Sequence, residues 1–206
     1  MKTIAVLSRK GGTGKTTVAI HLAVAAEQAG HTTALIDLDP QASAASWRDI
    51  RENKSPAVIS THASRLAQTL HIAKDNGATL AIVDTAPHTE SAALDAATAA
   101  EFAVIPCKPA LIDLKAIGST INIIRLANVP ASIILNGVPA RGNVATQARK
   151  AISHYDVTCA PCEIGSRIAF NYAYTAGLAV QEYEPRGKAS GEIREFYAYI
   201  AKEMGV

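Results

Sequence analysis

Cysteine is scarce in this 206-residue chain. Cys107, Cys159 and Cys162 are too few and too unevenly placed for a disulfide framework, which makes a reducing cytoplasm the economical setting. Charge is scarce as well: 18% of residues are charged, and 20 basic side chains exceed 18 acidic ones by only two. So small an excess does not describe a constitutive polyanion binder, and any affinity for nucleic acid has to be local or switched. No apolar run reaches ~18 residues without a charge or a turn former, so no segment reads as a membrane span. The run Ile4 to Leu7 behind Met1 is too short for a signal-peptide core. The histidines show no paired spacing and no His-Glu-x-x-His pattern, which leaves zinc unsupported. No helix-turn-helix signature, zinc finger or aromatic-basic interleaving marks a DNA reader. What the chain does have is apolar residues, 49% of the total, enough to bury a core and to exclude global disorder.

Those apolar residues are arranged in short aliphatic runs: Thr3 to Leu7, Thr32 to Ile36, Ala57 to Thr61, Thr79 to Val83, Phe102 to Ile105 and Ala131 to Leu135. Each is bounded by turn formers and reads as a strand. Between them lie alanine-rich stretches with helical spacing, such as Thr17 to Ala29 and Ala63 to Asp75. Strand and helix in alternation predict an α/β fold, a doubly wound and mostly parallel sheet flanked by helices, in one domain over residues 1–206. Val138 to Asn143 and Glu184 to Gly191 read as surface loops. Ile193, Phe196, Tyr197, Ile200 and Met204 form a stripe on the last helix. Its polar face mixes acids and bases, which predicts docking on the sheet in preference to a lipid surface.

The first strand runs into Lys10-Gly11-Gly12-Thr13-Gly14-Lys15-Thr16-Thr17 and then a helix, the placement a phosphate-cradling loop requires. Glycines let several backbone N–H groups close around phosphate oxygens, and the helix presents its positive end to the same anion. Lys15 would neutralise the β- and γ-phosphates, and the Thr16 hydroxyl would take a position on Mg²⁺. The second strand ends in Asp37-Leu38-Asp39-Pro40-Gln41, two carboxylates at the sheet edge where open α/β folds bind ligands, although one of them could instead cap the helix that follows. Leu80 to Asp84 is an apolar strand closed by an acid, and Asp84 would hold the metal directly or through water. Thr16, Asp37 and Asp84 are thus the candidate Mg²⁺ residues.

One position departs from the usual loop: Arg9 stands where a glycine is expected, and Lys10 adds a second lysine. With that lysine the run resembles the deviant phosphate loop of the ParA/MinD ATPases, and Asp-x-Asp-Pro-Gln and Asp84-Thr85-Ala86-Pro87 resemble the two switch regions of that family. The resemblance spans nearly the whole chain and points to short members without an N-terminal DNA-reading domain. It implies that residues 10 to 17 bind ATP, that Lys10 reaches the phosphates of a partner across a nucleotide-sandwich homodimer, and that Asp39 positions the attacking water. Lys10, Lys15 and Asp39 would then be the catalytic set. Asn136 would read the adenine edge, with a plain turn asparagine as the alternative, and Arg167 would lie near nucleotide or interface. The implied activity is slow ATP hydrolysis, stimulated by a ParB-like centromere-binding partner, by a cytoplasmic dimer that coats the nucleoid without sequence preference and segregates plasmid or chromosomal DNA.

Arg149, Lys150, Arg186 and Lys188, with Arg141 and Arg194, are the candidates for a C-terminal DNA-binding stripe, since a dimer doubles a weak patch and phosphate contacts sum. Two rivals share the loop. A MinD-like membrane-associated ATPase would need a basic amphipathic C-terminal helix, and a metabolic ligase or reductase would need dedicated acids or thiols in a substrate pocket. Cys159-Ala160-Pro161-Cys162 has redox spacing, but a cluster shared by two chains has only Cys107 in the matching neighbourhood.

Overall fold

Alternating side chains on the central strand set the layout. In β1 (Lys2–Val6), Ile4 and Val6 face one hydrophobic cluster while Ala5, with Leu7 just beyond the strand, faces the other. A strand buried on both faces needs helices on both faces. In the computed structural model, which describes residues 1–87 and 89–206, β1 sits at the centre of a seven-stranded sheet. Its companions are β2 (Thr33–Asp37), β3 (Ala57–Ser60), β4 (Leu80–Asp84), β5 (Phe102–Cys107), β6 (Ala131–Val138) and β7 (Thr158–Gly165), in the order β3-β2-β4-β1-β5-β6-β7 with every pair parallel. Register places Val6 beside Asp84, and Asp84 beside Asp37, so the two acids and the start of the phosphate loop share one carboxyl edge.

One face carries α1 (Lys15–Gln28), α2 (Ser43–Ile50), α7 (Ala169–Thr175), α8 (Val180–Tyr183) and α9 (Lys188–Met204). The other carries α3 (Leu66–Asp75), α4 (Glu90–Thr98), α5 (Leu111–Ala127) and α6 (Val144–Ile152). The stripe of α9 docks as expected: Ile193, Phe196, Tyr197 and Ile200 are buried in the first cluster. The second expected loop is shorter than its composition suggests, because α9 already starts at Lys188. No described helix is long and apolar enough to cross a membrane.

The seventh strand is absent from the sequence reading. Pro161 and Glu163 interrupt its apolar run, and its cysteine spacing draws attention to redox chemistry instead. Pro161 is tolerated because β7 is an edge strand, whose pairing with β6 is itself irregular between Ile133 and Leu135.

The segment after β2 is tied down from a distance. Trp47, fully buried on α2, donates its indole N–H to the Leu178 carbonyl. Arg51 stacks over that indole at 4.8 Å and places both terminal nitrogens on the Glu182 carboxylate, at 2.7 and 2.5 Å. It also donates to the carbonyls of Ser55 and Gly177. The Arg51 side chain is 2% exposed, so removing it strands a carboxylate and two carbonyls. Arg51→Ala is expected to cost about 3 kcal/mol, the scale for breaking a buried ion pair, as a lower denaturant midpoint at unchanged slope.

Candidate functional site

The loop between β1 and α1 is shaped by two glycines at positive φ, Gly12 at 73° and Gly14 at 91°. Gly14 is doubly constrained, because a Cβ there would overlap the amide of Asn136. That amide, within β6, donates to the Thr13 carbonyl at 2.7 Å and clamps the loop from behind. The first turn of α1 has no side-chain cap and no acidic residue, so its free N–H groups and positive end remain available to an anion. Gly11, Gly12, Gly14, Lys15, Thr16, Thr17, Asp39 and Pro87 line a cleft of about 240 Å³ over this turn.

Inside the cleft the charges are only partly balanced. Lys15 is buried, which lowers the pKa of its ammonium, while the charges of Asp84 and Asp39 act in the opposite direction. Its Nζ donates to the Lys10 carbonyl at 3.4 Å. Asp84 is fully buried, and neither carboxylate oxygen has a hydrogen-bond partner among the described residues. Burial pushes its pKa up to about 7; the neighbouring Thr16 hydroxyl and Lys15 oppose that shift, and the charges of Asp37 and Asp39 add to it. An ionised carboxylate so placed calls for a cation, and a hydroxyl beside it is a hard oxygen donor of the kind Mg²⁺ takes. The pair Asp84 and Thr16 therefore fits a magnesium ion.

Asp37 does something else. Its Oδ2 accepts from the Ala44 and Ala45 N–H groups at 3.0 and 3.2 Å, and its Oδ1 accepts from Asp39 N–H at 3.0 Å. It caps α2, so the expectation of a metal residue at Asp37 is corrected: its oxygens are spent on backbone donors. Asp39 keeps one contact, from the Gln41 N–H at 2.9 Å, and lines the cleft opposite the loop.

Three further expectations change. Asn136, expected to read the adenine edge, places one of its two amide N–H groups on the Thr13 carbonyl and so braces the loop. Arg167 is paired with Glu192, which also accepts from Gly165 N–H, so its guanidinium braces the exit of β7 against α9 and does not line the phosphate cleft. Arg149, offered as a DNA contact, is occupied by the carbonyls of Ala160, Pro161 and Cys162 and ties α6 to β7. Lys150, Arg186 and Lys188 are exposed, but α6 and α9 lie on opposite faces of the sheet, so the basic residues do not form one stripe within a protomer.

The thiols make no centre, and no metal-holding group of His, Cys, Asp and Glu occurs among the described residues. Burial pushes Cys107 up to about 12 and Cys162 to about 11, which keeps both as unreactive thiols.

Lys10 forms an ion pair with Asp113 on α5 at 2.7 Å, and Arg9 N–H donates to the Thr120 hydroxyl on the same helix at 3.1 Å. Asp113 is a lone acid in the otherwise apolar first turn of α5. His21 was missed. It is buried one turn past Thr17, donates from Nδ1 to the Thr17 carbonyl at 2.6 Å, and is held neutral by burial, with its pKa pushed down to about 4.

A pH test follows from Asp84. A carboxylate near 7 in the fold and near the ordinary ~3.9 when unfolded destabilises the fold increasingly as pH rises between those values, and fully above the upper one. In magnesium- and nucleotide-free buffer, Asp84→Asn is expected to melt higher than the parent chain at pH 8, with the difference vanishing near pH 4. Equal melting temperatures at pH 8 would contradict the buried-charge account.

Comparison with known proteins agrees with this architecture. The CobQ/CobB/MinD/ParA nucleotide binding domain, CbiA, matches residues 4–177. "Maintenance of carboxysome distribution protein A" of Gloeobacter kilaueensis is 31% identical over 215 residues, covering 98% of this chain and 94% of that protein. "Sporulation initiation inhibitor protein Soj" of Bacillus subtilis is 24% identical, with 98% of each chain covered. Among solved structures, the septum site-determining protein MinD of Pyrococcus horikoshii, complexed with Mg-ADP, superposes with a TM-score of 0.82 at 18% identity, covering 99% of this chain and 97% of that one. A cleft built for phosphate on a seven-stranded parallel sheet, together with a family match over most of its length, makes this chain a member of the ParA/MinD family of nucleotide-binding P-loop proteins.

Proposed function

We propose that the chain is a ParA-type ATPase that binds ATP with Mg²⁺, pairs with a second copy around the nucleotide, and hydrolyses it slowly to position a cargo on DNA. The observation that carries this reading is a cleft that holds an uncapped helix N-terminus and Lys15, with a buried Asp84 beside Lys15 and Thr16 whose oxygens accept no hydrogen bond among the described residues. Bound Mg²⁺ would neutralise charge on the β- and γ-phosphates. The chain's own groups supply the rest. Loop N–H groups and Lys15 orient the phosphates, and Thr16 and Asp84 hold the metal. Asp39, at the mouth of the cleft, holds a water in line with the γ-phosphate and takes up its proton as it attacks. Lys10 of a second copy stabilises the charge that develops on the transferred group, as an arginine finger does elsewhere.

The cargo is DNA carrying a centromere-like site bound by a ParB-like partner. A second reading, distribution of a protein body along the nucleoid, is favoured by the 31% identity to a protein named for maintaining carboxysome distribution. Both readings need DNA affinity gated by nucleotide. Within a protomer Lys150 and the Arg186–Lys188 pair lie on opposite faces, so a dimer would have to combine patches from two copies to build a polyanion surface.

Cosedimentation with nonspecific DNA across a salt series separates the classes: retention with ATP alone, weakening steeply with salt, is expected, and equal behaviour with ATP, ADP and no nucleotide would refute the proposal. For Asp39→Ala, unaltered ATP affinity and persistent dimers are expected alongside a fall in turnover of at least ~100-fold, the usual contribution of a positioned general base. Near-normal hydrolysis would remove Asp39 from its role.

A further inference from the structure

We infer that Asp113 positions Lys10, holding the lysine within its own protomer until a partner's nucleotide competes for it. The inference rests on the reading of Lys10 as a cation supplied to a second copy, and adds the group that controls its availability.

The Lys10 ammonium lies 2.7 Å from the Asp113 carboxylate. This is not an ordinary surface pair, which would be worth little because water competes with both partners. Asp113 is 7% exposed, Lys10 31%, so the contact is shielded on its acidic side. The rest of the loop is arranged around that pairing. Thr120, on the same face of α5 two turns further along, accepts from Arg9 N–H, and the Lys10 carbonyl receives the Lys15 ammonium and the Thr13 hydroxyl. Backbone and side chain of Lys10 are both held in cis, the first by the loop and the second by α5.

The pairing is also built to be exchanged. When an ammonium leaves a buried carboxylate, the stranded charge normally makes departure costly. Asp113 stands in the first turn of α5, whose N-terminus has no side-chain cap, so the helix's positive end continues to face the carboxylate. A triphosphate presents several charged oxygens against one carboxylate, and exchange favours the phosphates once they come within reach. The same turn displays Leu111 and Ile112, 67% and 70% exposed, so a copy approaching Lys10 would meet apolar side chains beside it. Asp113 thus sets how high the protein concentration must be before dimers form.

Three measurements on the full chain test this. In nucleotide-free protein, acylation of lysines by an N-hydroxysuccinimide ester is followed by mass spectrometry, with exposed Lys108 as internal standard. Asp113→Asn is expected to raise the relative rate at Lys10 several-fold, and Asp113→Glu to leave it low; an unchanged rate in the Asn variant overturns the proposal. Sedimentation equilibrium with Mg²⁺ and a nonhydrolysable ATP analogue then gives the concentration for half-dimerisation. Asp113→Asn is expected to lower it about tenfold, with Asp113→Glu close to the parent; an equal or higher concentration for Asp113→Asn also overturns the proposal. Lys10→Ala should abolish dimerisation in either background. If Lys10→Ala dimerises like the parent, the reading of Lys10 as a shared cation fails, and with it the exchange, while the acylation result still reports whether the pair exists within one protomer.

Discussion

A buried carboxylate whose oxygens accept no hydrogen bond is expensive, and among the described residues Asp84, at the end of β4, is in that state. Its neighbours relieve it only in part: the Thr16 hydroxyl and Lys15 favour its ionised form, but burial outweighs them and Asp37 and Asp39 add charge of the same sign. Folding places these groups at one sheet edge because parallel strands all end on the same side, and register sets Asp37 directly beside Asp84. The arrangement is electrostatically incomplete, and a divalent cation together with a polyanion completes it. Stability is given up at the site so that binding can recover it.

The surrounding helices hold that arrangement in place by different means. On one face, Trp47, Arg51 and Glu182 tie α2 to the turn before α8, so the segment carrying Asp39 starts from a rigid base that Asp37 caps. On the other face, α5 holds the start of the phosphate loop through Thr120 and Asp113. Asn136 presses from behind and makes glycine obligatory at position 14. The loop is thus gripped from several directions before any ligand arrives, which is preorganisation in the sense that binding need not pay for ordering it.

The expected site residues that the fold brings to the cleft or beside it are those whose chemistry and position along the chain coincide. Lys15, Thr16 and the glycines follow a strand and open a helix, and Asp84 closes an apolar run; each signal is local. The misassigned residues are polar groups whose role depends on what lies across the fold. Asn136 follows an apolar run as a ligand reader would, but it lies within β6 and its amide reaches the Thr13 carbonyl, 123 positions earlier in the chain. Arg149 looks like a free surface cation and is spent on three carbonyls of β7, a strand whose proline and charge hid it from periodicity. Asp37 and Asp39 are two residues apart, and alternation along the chain cannot tell which one turns back to cap α2.

The order of residues alone was enough to establish a doubly wound parallel sheet, the phosphate loop and the edge at which a ligand sits, because these follow from hydrophobic alternation and from a strand-glycine-helix succession that are both written over short windows. Only the packed molecule decided which carboxylate is left bare, which arginines are consumed as struts, and which acid holds Lys10. Those outcomes depend on distances between segments far apart in the chain and on which polar atoms water can still reach, and neither quantity exists until both faces of the sheet are covered.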